Sequence, residues 1–333
     1  MEERIFVCKI CGNRDKNKEF RIREMMFGSA EVFVYFECSA CGCLQIKEIP
    51  ADMSGYYPQE YYSFQTDAVI PLDKPDFPVA RFLRHKRTEY YLGRKSCIGR
   101  LVCRYRPLER QLAEYLSWLK LCNARLDSRI LDVGCGNARL LSELAWYGFR
   151  RLHGADSFID GDFTRGTVRV EKKEISAVSG AFDVIMLHHS LEHMRQPQKV
   201  FFDIARLLNK AGHALIRIPT VSSYAWREFG VNWVQIDAPR HFFLFTLQNI
   251  DTLARNSGLS IKRIDFDSTE FQFIGSLQYA QDIPLRDGRS YCVEPHHSIF
   301  TAENVEKFRE KAVALNKERK GDQVCVYLTR QSG

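Results

Sequence analysis

The sequence predicts an α/β protein whose main domain is a doubly wound, mostly parallel sheet, preceded by a small zinc-ribbon subdomain. From Ser128 onward, short apolar strands alternate with amphipathic helices, which is typical of a parallel sheet with helices on both faces. Near the start of the chain, two matched cysteine pairs have the spacing of metal ligands. We therefore divide the chain into a zinc-ribbon subdomain (1–64), a linker with a basic helical connector (65–127) and the α/β domain (128–333).

Composition excludes several classes of protein. The 333 residues are 45% hydrophobic and 12% aromatic, which excludes a disordered or fibrous chain. No stretch approaches the roughly 18 uninterrupted apolar residues that a membrane-spanning helix needs. The first residues, Met1–Arg4, are acidic and no apolar region follows them, unlike a secretory signal. We expect a soluble, cytoplasmic protein.

The two cysteine pairs form matching CxxCG units with 26 residues between them. Two residues between thiolates allow both sulfurs to face one ion, and the glycine tolerates the turn that follows. Four such sulfurs make a closed tetrahedral site, which holds zinc for structure and leaves no position open for chemistry. Cys43 is a poorer substitute because it lies too close to its neighbour. The predicted zinc ligands are Cys8, Cys11, Cys38 and Cys41.

The α/β region offers seven candidate strands and two clear helices between them. The strands are expected at Ile130–Val133, Leu152–Ala155, Val168–Val170, Phe182–Leu187, Ala214–Ile218, Ile261–Phe266 and Val324–Thr329, and the helices at Ala138–Tyr147 and Lys199–Leu208. Since consecutive parallel strands need helical crossovers, this order predicts a nucleotide-binding type of sheet.

A glycine-rich turn follows the first of these strands. The chain passes through Gly134 and Gly136, where backbone amides can approach a ligand closely, into a helix that Asn137 is placed to cap. Twenty residues after Gly136, the next strand ends at Asp156, whose carboxylate could hold both ribose hydroxyls of a nucleoside. The turn lacks the third glycine of the dinucleotide fingerprint and follows the acidic Asp132, so binding of a pyrophosphate is disfavoured.

These motifs, together with Phe182–Ile185 and the turn Leu207–Gly212 before the fifth strand, resemble those of class I S-adenosylmethionine-dependent methyltransferases. The resemblance covers roughly residues 128–263. It implies a seven-stranded sheet whose last strand is antiparallel, with the cofactor over the carboxyl ends of the first strands. It also implies that the two glycines face the methionine part, that Asp156 holds the ribose, and that Glu171 or Glu174 flanks the adenine. The cofactor-binding residues implied in this way are Asp132, Gly134, Gly136, Asn137, Asp156, Glu174 and His188.

Acceptor chemistry is expected where the fourth strand ends. Ser190 is interpreted as a helix cap, so His189, Glu192 and His193 are predicted to share one face at a helix start. His241 belongs to a later insertion, of the kind that usually contacts substrate in this family. Amino-methylating DNA enzymes of this fold carry an Asn/Asp-Pro-Pro-aromatic motif that the chain lacks here, which favours a hydroxyl or carbon acceptor.

Three roles remain open for this cluster. His189 or His241 could be a general base that takes the acceptor proton. A divalent metal is the second alternative: ubiquinone-type O-methyltransferases and small-RNA 3′-end methyltransferases hold one with Glu-x-x-Glu-His, of which this chain keeps Glu192 and His193 but has His189 in place of the first glutamate. Zinc, manganese or magnesium would suit these ligands. In the third role, Glu192 and His193 only support the structure.

The cysteine pairs and a run of tyrosines (Tyr56, Tyr57, Tyr61 and Tyr62) are similar to those of bacterial methyltransferases that act on sugars. We therefore expect a small glycosyl or nucleotide-linked acceptor, or alternatively an RNA or DNA partner bound by the ribbon and the basic connector. The net charge of +7 lies in that connector, where residues 81–110 hold ten Lys or Arg against Glu89 and Glu109. This segment is either a solvated helical face or a landing surface for an anionic acceptor.

Overall fold

The computed structural model describes residues 6–57 and 77–331. The predicted tyrosines Tyr61 and Tyr62 and most of the proline-spaced linker lie outside these residues. The strands are β1 (Lys18–Arg23), β2 (Val32–Glu37), β3 (Leu44–Ile46), β4 (Arg129–Val133), β5 (Arg151–Ala155), β6 (Phe163–Arg165), β7 (Val168–Glu171), β8 (Phe182–His188), β9 (Leu208–Pro219), β10 (Phe243–Leu244), β11 (Leu259–Phe266) and β12 (Gln323–Arg330).

The first three helices form the connector, and the others lie along the chain among the strands of the α/β region. They are α1 (Pro78–Tyr91), α2 (Cys97–Tyr105), α3 (Arg110–Leu121), α4 (Arg139–Trp146), α5 (Pro197–Leu207), α6 (Tyr224–Phe229), α7 (Leu247–Asn256), α8 (Phe271–Ala280) and α9 (Ala302–Lys317). Within the described segments, no helix has both the length and the apolar character needed to cross a bilayer.

The larger sheet confirms the predicted fold class. Its strands lie in the order β11-β12-β9-β8-β4-β5-β7-β6, and the five adjacent strands β9, β8, β4, β5 and β7 run parallel to one another. The last strand, β12, runs antiparallel between β9 and β11. All seven predicted strands are present, which places the carboxyl ends of β4, β5, β7 and β8 at one edge of the sheet.

Two details of this sheet differ from the prediction. An eighth strand, β6, forms an antiparallel hairpin with β7 through a two-residue turn that contains Gly166 with a positive φ of 58°. Glycine at such a turn is a hairpin signal that the sequence offered. In addition, β9 begins at Leu208, well before the predicted Ala214, so that the expected turn is paired backbone with a register shift against β8.

The smaller sheet joins the N-terminal region to the α/β region. Its order is β1-β2-β3-β10, so its last strand comes from the far side of the sequence, with Phe243 opposite Gln45 and Leu244 opposite Leu44. Tyr35 and Leu44 are fully buried in one hydrophobic core with Phe243 and residues of β8 and β9. The N-terminal region therefore shares its core with the α/β region.

The connector helices pack into a second hydrophobic core. Leu116 and Leu119 of α3 are buried in this core against β4 and α4. Arg84 of α1 donates from Nε to the carbonyl oxygen of Trp146 at the end of α4 (2.7 Å), with its guanidinium 4.0 Å from the indole centroid. These contacts fix α1 and α3 beside the main sheet.

Candidate cofactor and acceptor site

The glycine-rich turn after β4 is held by its own backbone geometry. Gly134 and Gly136 have φ values of 77° and 51°, which favour glycine. A Cβ on Gly134 would lie 2.5 Å from the Cβ of Ser190, so a larger residue would collide there. The amide of Gly136 donates to Oδ2 of Asp156 (2.9 Å) and that of Phe158 donates to Oδ1 (2.8 Å). The predicted glycines and Asp156 therefore lie together.

The start of α4 differs slightly from the prediction for Asn137. The capping position is Ala138, which has a left-handed φ of 61°, and the helix begins at Arg139. The side chain of Asn137 still accepts a hydrogen bond from the amide of Arg139 (3.0 Å). It satisfies a first-turn donor from just outside the helix.

Asp132 lies at the base of this turn and is buried. Burial, together with the nearby charge of Asp156, raises the pKa of Asp132 to about 7. A cation bound beside it would favour the charged carboxylate, since opposite charges stabilise each other strongly where water is excluded.

The remaining two residues of the predicted cofactor set have very different environments. His188 ends β8 and packs on the ring of Trp118, with centroids 4.9 Å apart. Burial, with the nearby charge of Arg217, lowers the pKa of His188 to about 3, so its ring is neutral. Glu174 is exposed and precedes a short 3-10 turn at Ile175–Ala177, while Glu171 at the end of β7 pairs with Lys173 (2.8 Å).

The predicted helix after β8 is wrong in its geometry. Leu191–His193 form a single 3-10 turn, and Ser190, predicted to cap a helix, donates its hydroxyl to the carbonyl oxygen of Val133 instead (2.8 Å). The helix α5 begins only at Pro197, because a proline disfavours helical backbone in the residue before it and is well placed at a first helical position. His189, Glu192 and His193 are nevertheless close together.

Glu192, His193 and His241 converge in the interior. One ligand atom from each lies within 4.8 Å of those of the other two, and Glu192 is fully buried. Within the described residues, neither carboxylate oxygen of Glu192 accepts a hydrogen bond. His189 Nδ1 lies 3.4 Å and His241 Nε2 lies 4.0 Å from Oε1. A buried carboxylate without donors is costly unless a cation accompanies it.

Backbone carbonyls orient both histidines of this trio. His193 Nδ1 lies 2.8 Å from the carbonyl oxygen of Arg240, and His241 Nδ1 lies 2.7 Å from that of Gln235. A carbonyl only accepts, so Nδ1 of each ring carries a proton, and in a neutral ring the lone pair is then on Nε2. Metal-binding histidines are usually oriented in this manner.

The charges in the trio agree with that tautomer. Burial lowers the pKa of His193 to about 4, with a further contribution from His241, so His193 is neutral at physiological pH. Burial acts to raise the pKa of Glu192, but the contact with His189 and the neighbouring histidine charges hold it below its ordinary value. The carboxylate of Glu192 is therefore negative, whereas the neighbouring ring of His193 is neutral.

The four cysteines lie in the segments next to the strands of the smaller sheet. The Sγ atoms of Cys8 and Cys41 are 3.6 Å apart, and those of Cys11 and Cys38 are 3.5 Å apart. A disulfide would need about 2.05 Å, whereas ligands of one tetrahedral zinc at about 2.3 Å lie about 3.8 Å from each other. The four ligand atoms form one cluster, with Gln45 donating to Cys8 Sγ (2.9 Å).

Local geometry explains why the cysteine motifs end in glycine. Gly12 and Gly42 both have positive φ, at 75° and 68°, and each amide donates to the carbonyl of the first cysteine of its pair (2.9 and 2.8 Å). The two turns are therefore equivalent. Cys43 is not part of the cluster and is buried in the shared core.

Comparison with known proteins agrees with the geometry at the strand ends. Residues 104–263 match the family described as a methyltransferase domain. A little under half of the chain therefore matches a methyltransferase domain. This finding confirms the resemblance seen in the motifs after β4, β5 and β8.

The curated relatives are moderately similar. Ubiquinone biosynthesis O-methyltransferase from Pectobacterium atrosepticum is 27% identical over 137 residues, which are 37% of this chain and 56% of the relative. The enzyme of the same name from Xanthomonas oryzae pv. oryzae is 29% identical over 143 residues, which are 37% of this chain and 58% of the relative. The chain thus spans a little over half the length of these relatives.

Two solved structures align with part of the chain. The cyclopropane synthase MmaA2 from Mycobacterium tuberculosis aligns with a TM-score of 0.42 and 17% identity over 67% of this chain and 85% of that one. An S-adenosylmethionine-dependent methyltransferase from Mesorhizobium loti aligns with a TM-score of 0.39 and 14% identity over 61% of this chain and 91% of that one.

Sequence analysis missed a polar chain beside His189. Arg217, opposite His188 in the sheet, donates from Nη1 to His189 Nε2 (3.0 Å) and pairs through Nε with Asp267 (2.5 Å). His189 itself has a positive φ of 49°, which is uncommon for a residue other than glycine. Both ring nitrogens of His189 are thus engaged, Nε2 by Arg217 and Nδ1 near Glu192. An arginine within an apolar strand was the signal that the sequence offered.

The N-terminal region also contacts the methyltransferase domain at this site. Tyr35 donates its hydroxyl to the carbonyl oxygen of His241 (2.8 Å), and the hydroxyl of Tyr57 lies 3.1 Å from His193 Nδ1. Arg240, fully buried, pairs with Glu24 (2.8 Å) and with Asp237 (2.6 Å). The segment that holds His241 is therefore braced from the N-terminal side.

Proposed function

We propose that the chain transfers a methyl group from S-adenosylmethionine to an oxygen atom of a small acceptor. The cofactor part rests on one observation: two glycines with positive φ and Asp156 are joined by a hydrogen bond at the carboxyl edge of β4 and β5, within a matched methyltransferase domain. An oxygen acceptor is supported by the curated relatives, which are named as O-methyltransferases.

For the acceptor class we retain the prediction of a glycosyl or nucleotide-linked small molecule. Tyr57 and Phe158 stack at 5.9 Å beside His193 and Asp156, and Phe158 is two-thirds exposed. Such an aromatic wall suits a flat or partly apolar ring. In the alternative, an RNA or DNA acceptor would bind with its negatively charged phosphate backbone against the basic connector.

Cofactor binding is tested by titration calorimetry with S-adenosylmethionine. Asp156→Asn should weaken binding by about tenfold or more, because a carboxylate that accepts from ribose hydroxyls is replaced by an amide with one acceptor. Asp160→Asn, an exposed neighbour, is the matched control. Equal affinity in the wild type and in Asp156→Asn would contradict the assignment, and no measurable binding to the wild type would contradict the function.

We further propose that Glu192, His193 and His241 hold a divalent cation. The supporting observation is the buried carboxylate without a hydrogen-bond partner beside two rings whose Nδ1 atoms face backbone carbonyls. A cation there would bind an acceptor hydroxyl and lower its pKa, as Lewis acids do. Arg217 and Asp267 then position His189 beside Glu192. His241 acting as a general base through Nε2 is the competing role for the same atoms.

Metal content tests the cation-binding role directly. Zinc-replete protein is dialysed against manganese or zinc and then analysed for bound metal. The wild type should retain one ion per chain more than Glu192→Gln or His241→Gln, whereas His213→Gln, a histidine outside the trio, should match the wild type. Equal metal content in all four proteins, with turnover lost in His241→Gln, would favour the general base instead.

The four cysteines are proposed to hold one structural zinc ion. Support comes from their sulfur separations and from the two matched turns. Such a site is closed, so it supplies stability and no catalytic chemistry.

A further inference from the structure

The short helix α2 presents apolar side chains to solvent. Ile98, Leu101 and Tyr105 follow each other at spacings of three and four residues, so they lie on one face of the helix. Their exposed fractions are 45%, 58% and 75%. In an ordinary amphipathic helix this face would be turned toward the core, so its exposure indicates an interaction surface.

The neighbouring helix α1 adds two more exposed apolar side chains to the same hairpin. α1 and α2 form a helical hairpin in which Gly99 packs against Lys86 and Tyr90, and Arg87 reaches the carbonyl oxygen of Arg106 (3.0 Å). These contacts hold α1 and α2 together as one hairpin. Val79 is 70% exposed and Phe82 is 48% exposed on α1.

Exposed arginines accompany these apolar residues. Arg81, Arg100, Arg104 and Arg106 are all exposed. Other basic residues of the connector are bound to the protein itself: Arg84 holds Trp146, and Lys86 pairs with Glu89 at 2.8 Å. The hairpin thus combines exposed apolar side chains with guanidinium groups, while the acidic residues of 81–110 are confined to Glu89 and Glu109.

We propose that the α1–α2 hairpin binds the surface of an anionic lipid bilayer through its exposed apolar and arginine side chains. Interfacial helices insert apolar side chains at the headgroup level while their cations pair with anionic lipids. Two copies of this surface would bring the exposed guanidinium groups of both chains together, which disfavours a dimer through it. Nucleic acid would pair with the arginines but would leave Ile98 and Leu101 in water. The proposal does not depend on the cofactor or metal sites.

Vesicle sedimentation tests the proposal with the full chain. The wild type should sediment with vesicles of phosphatidylglycerol and phosphatidylcholine in equal parts, and not with phosphatidylcholine alone. Arg100→Gln/Arg104→Gln/Arg106→Gln should lower partitioning about 100-fold, from about 1 kcal/mol for each cation near such a surface. Ile98→Ser/Leu101→Ser/Tyr105→Ser should lower it at least about tenfold.

The control keeps the hairpin unchanged and removes exposed apolar groups elsewhere. Phe202→Ser/Val313→Ser replaces side chains that are 51% and 49% exposed on α5 and α9, and it should sediment like the wild type. Unchanged thermal unfolding and unchanged S-adenosylmethionine titration in each variant would show that the fold and the cofactor site are intact. Absence of wild-type sedimentation at about 50 mM salt, equal sedimentation of all variants, or a wild-type dimer that the apolar variant dissociates would overturn the proposal.

Discussion

At the scale of single residues, Asp132 gives the molecule a pH dependence. Its pKa in the folded chain is about 7 because it is buried beside Asp156, whereas an unfolded Asp titrates near 3.9. Between these values the folded state binds the additional proton, so the free energy of unfolding falls as pH rises from about 4 to about 7 and is level above that.

Replacing Asp132 by Asn should remove this dependence. The amide resembles the protonated acid, so Asp132→Asn should match the wild type near pH 4.5 and exceed its melting temperature at pH 8, while binding S-adenosylmethionine more weakly. Thermal melting across pH 4.5–8.5 measures the difference, and Asp160→Asn serves as the exposed control. A wild-type advantage at pH 8 in the absence of cofactor would contradict the assigned pKa.

The residues that the sequence could predict are those whose conformation is local. Gly12, Gly42, Gly134 and Gly136 were expected to occupy special backbone positions, and all four have positive φ. The contact between Arg217 and His189 joins residues 28 apart through the pairing of β8 with β9. The position of Glu192 between His193 and His241 likewise depends on a loop far along the chain, which no local pattern describes.

At the scale of secondary-structure elements, the segment between α6 and α7 is fixed by a buried ion-pair cluster. Arg240 bridges Asp237 of its own segment and Glu24 after β1, and Glu24 also accepts from the amides of Met26 and Phe27 (3.0 Å each). The same segment supplies β10 to the smaller sheet. Sequence analysis found the segment but not these partners, because an isolated Arg in a loop is ordinarily exposed.

Removing Arg240 should therefore be strongly destabilising. Arg240→Met leaves Glu24 and Asp237 as uncompensated buried charges, with a cost of about 3–5 kcal/mol in the free energy of unfolding. Urea denaturation measures it, and Arg255→Met, which breaks an exposed pair with Asp251, should change little. Adding Glu24→Gln to Arg240→Met should recover part of the loss; no recovery would mean that the burial of Glu24 is not the cause.

At the scale of the whole molecule, the cysteine-bearing region shares its hydrophobic core with the α/β region. Tyr35 and Leu44 pack in one core with the main sheet, and Thr246 and Asn249 at the start of α7 both donate to the carbonyl oxygen of Cys41 (3.3 and 3.1 Å). The sequence predicted three consecutive regions and gave no sign of this sharing, since β3 and β10 pair across about 200 residues.

Loss of the proposed zinc should therefore weaken the entire fold. Cys38→Ser removes one ligand, and because metal binding is coupled to folding, the melting temperature should fall by about 10 °C or more in a single transition. Cys292→Ser, which alters an exposed cysteine outside the cluster, should melt like the wild type. Since the shared core also supports Tyr35 and the carbonyl of His241, the extra ion proposed for the Glu192 site should bind less tightly in Cys38→Ser. Two separate transitions, with the one assigned to the methyltransferase domain unmoved, would show instead that the two regions fold independently.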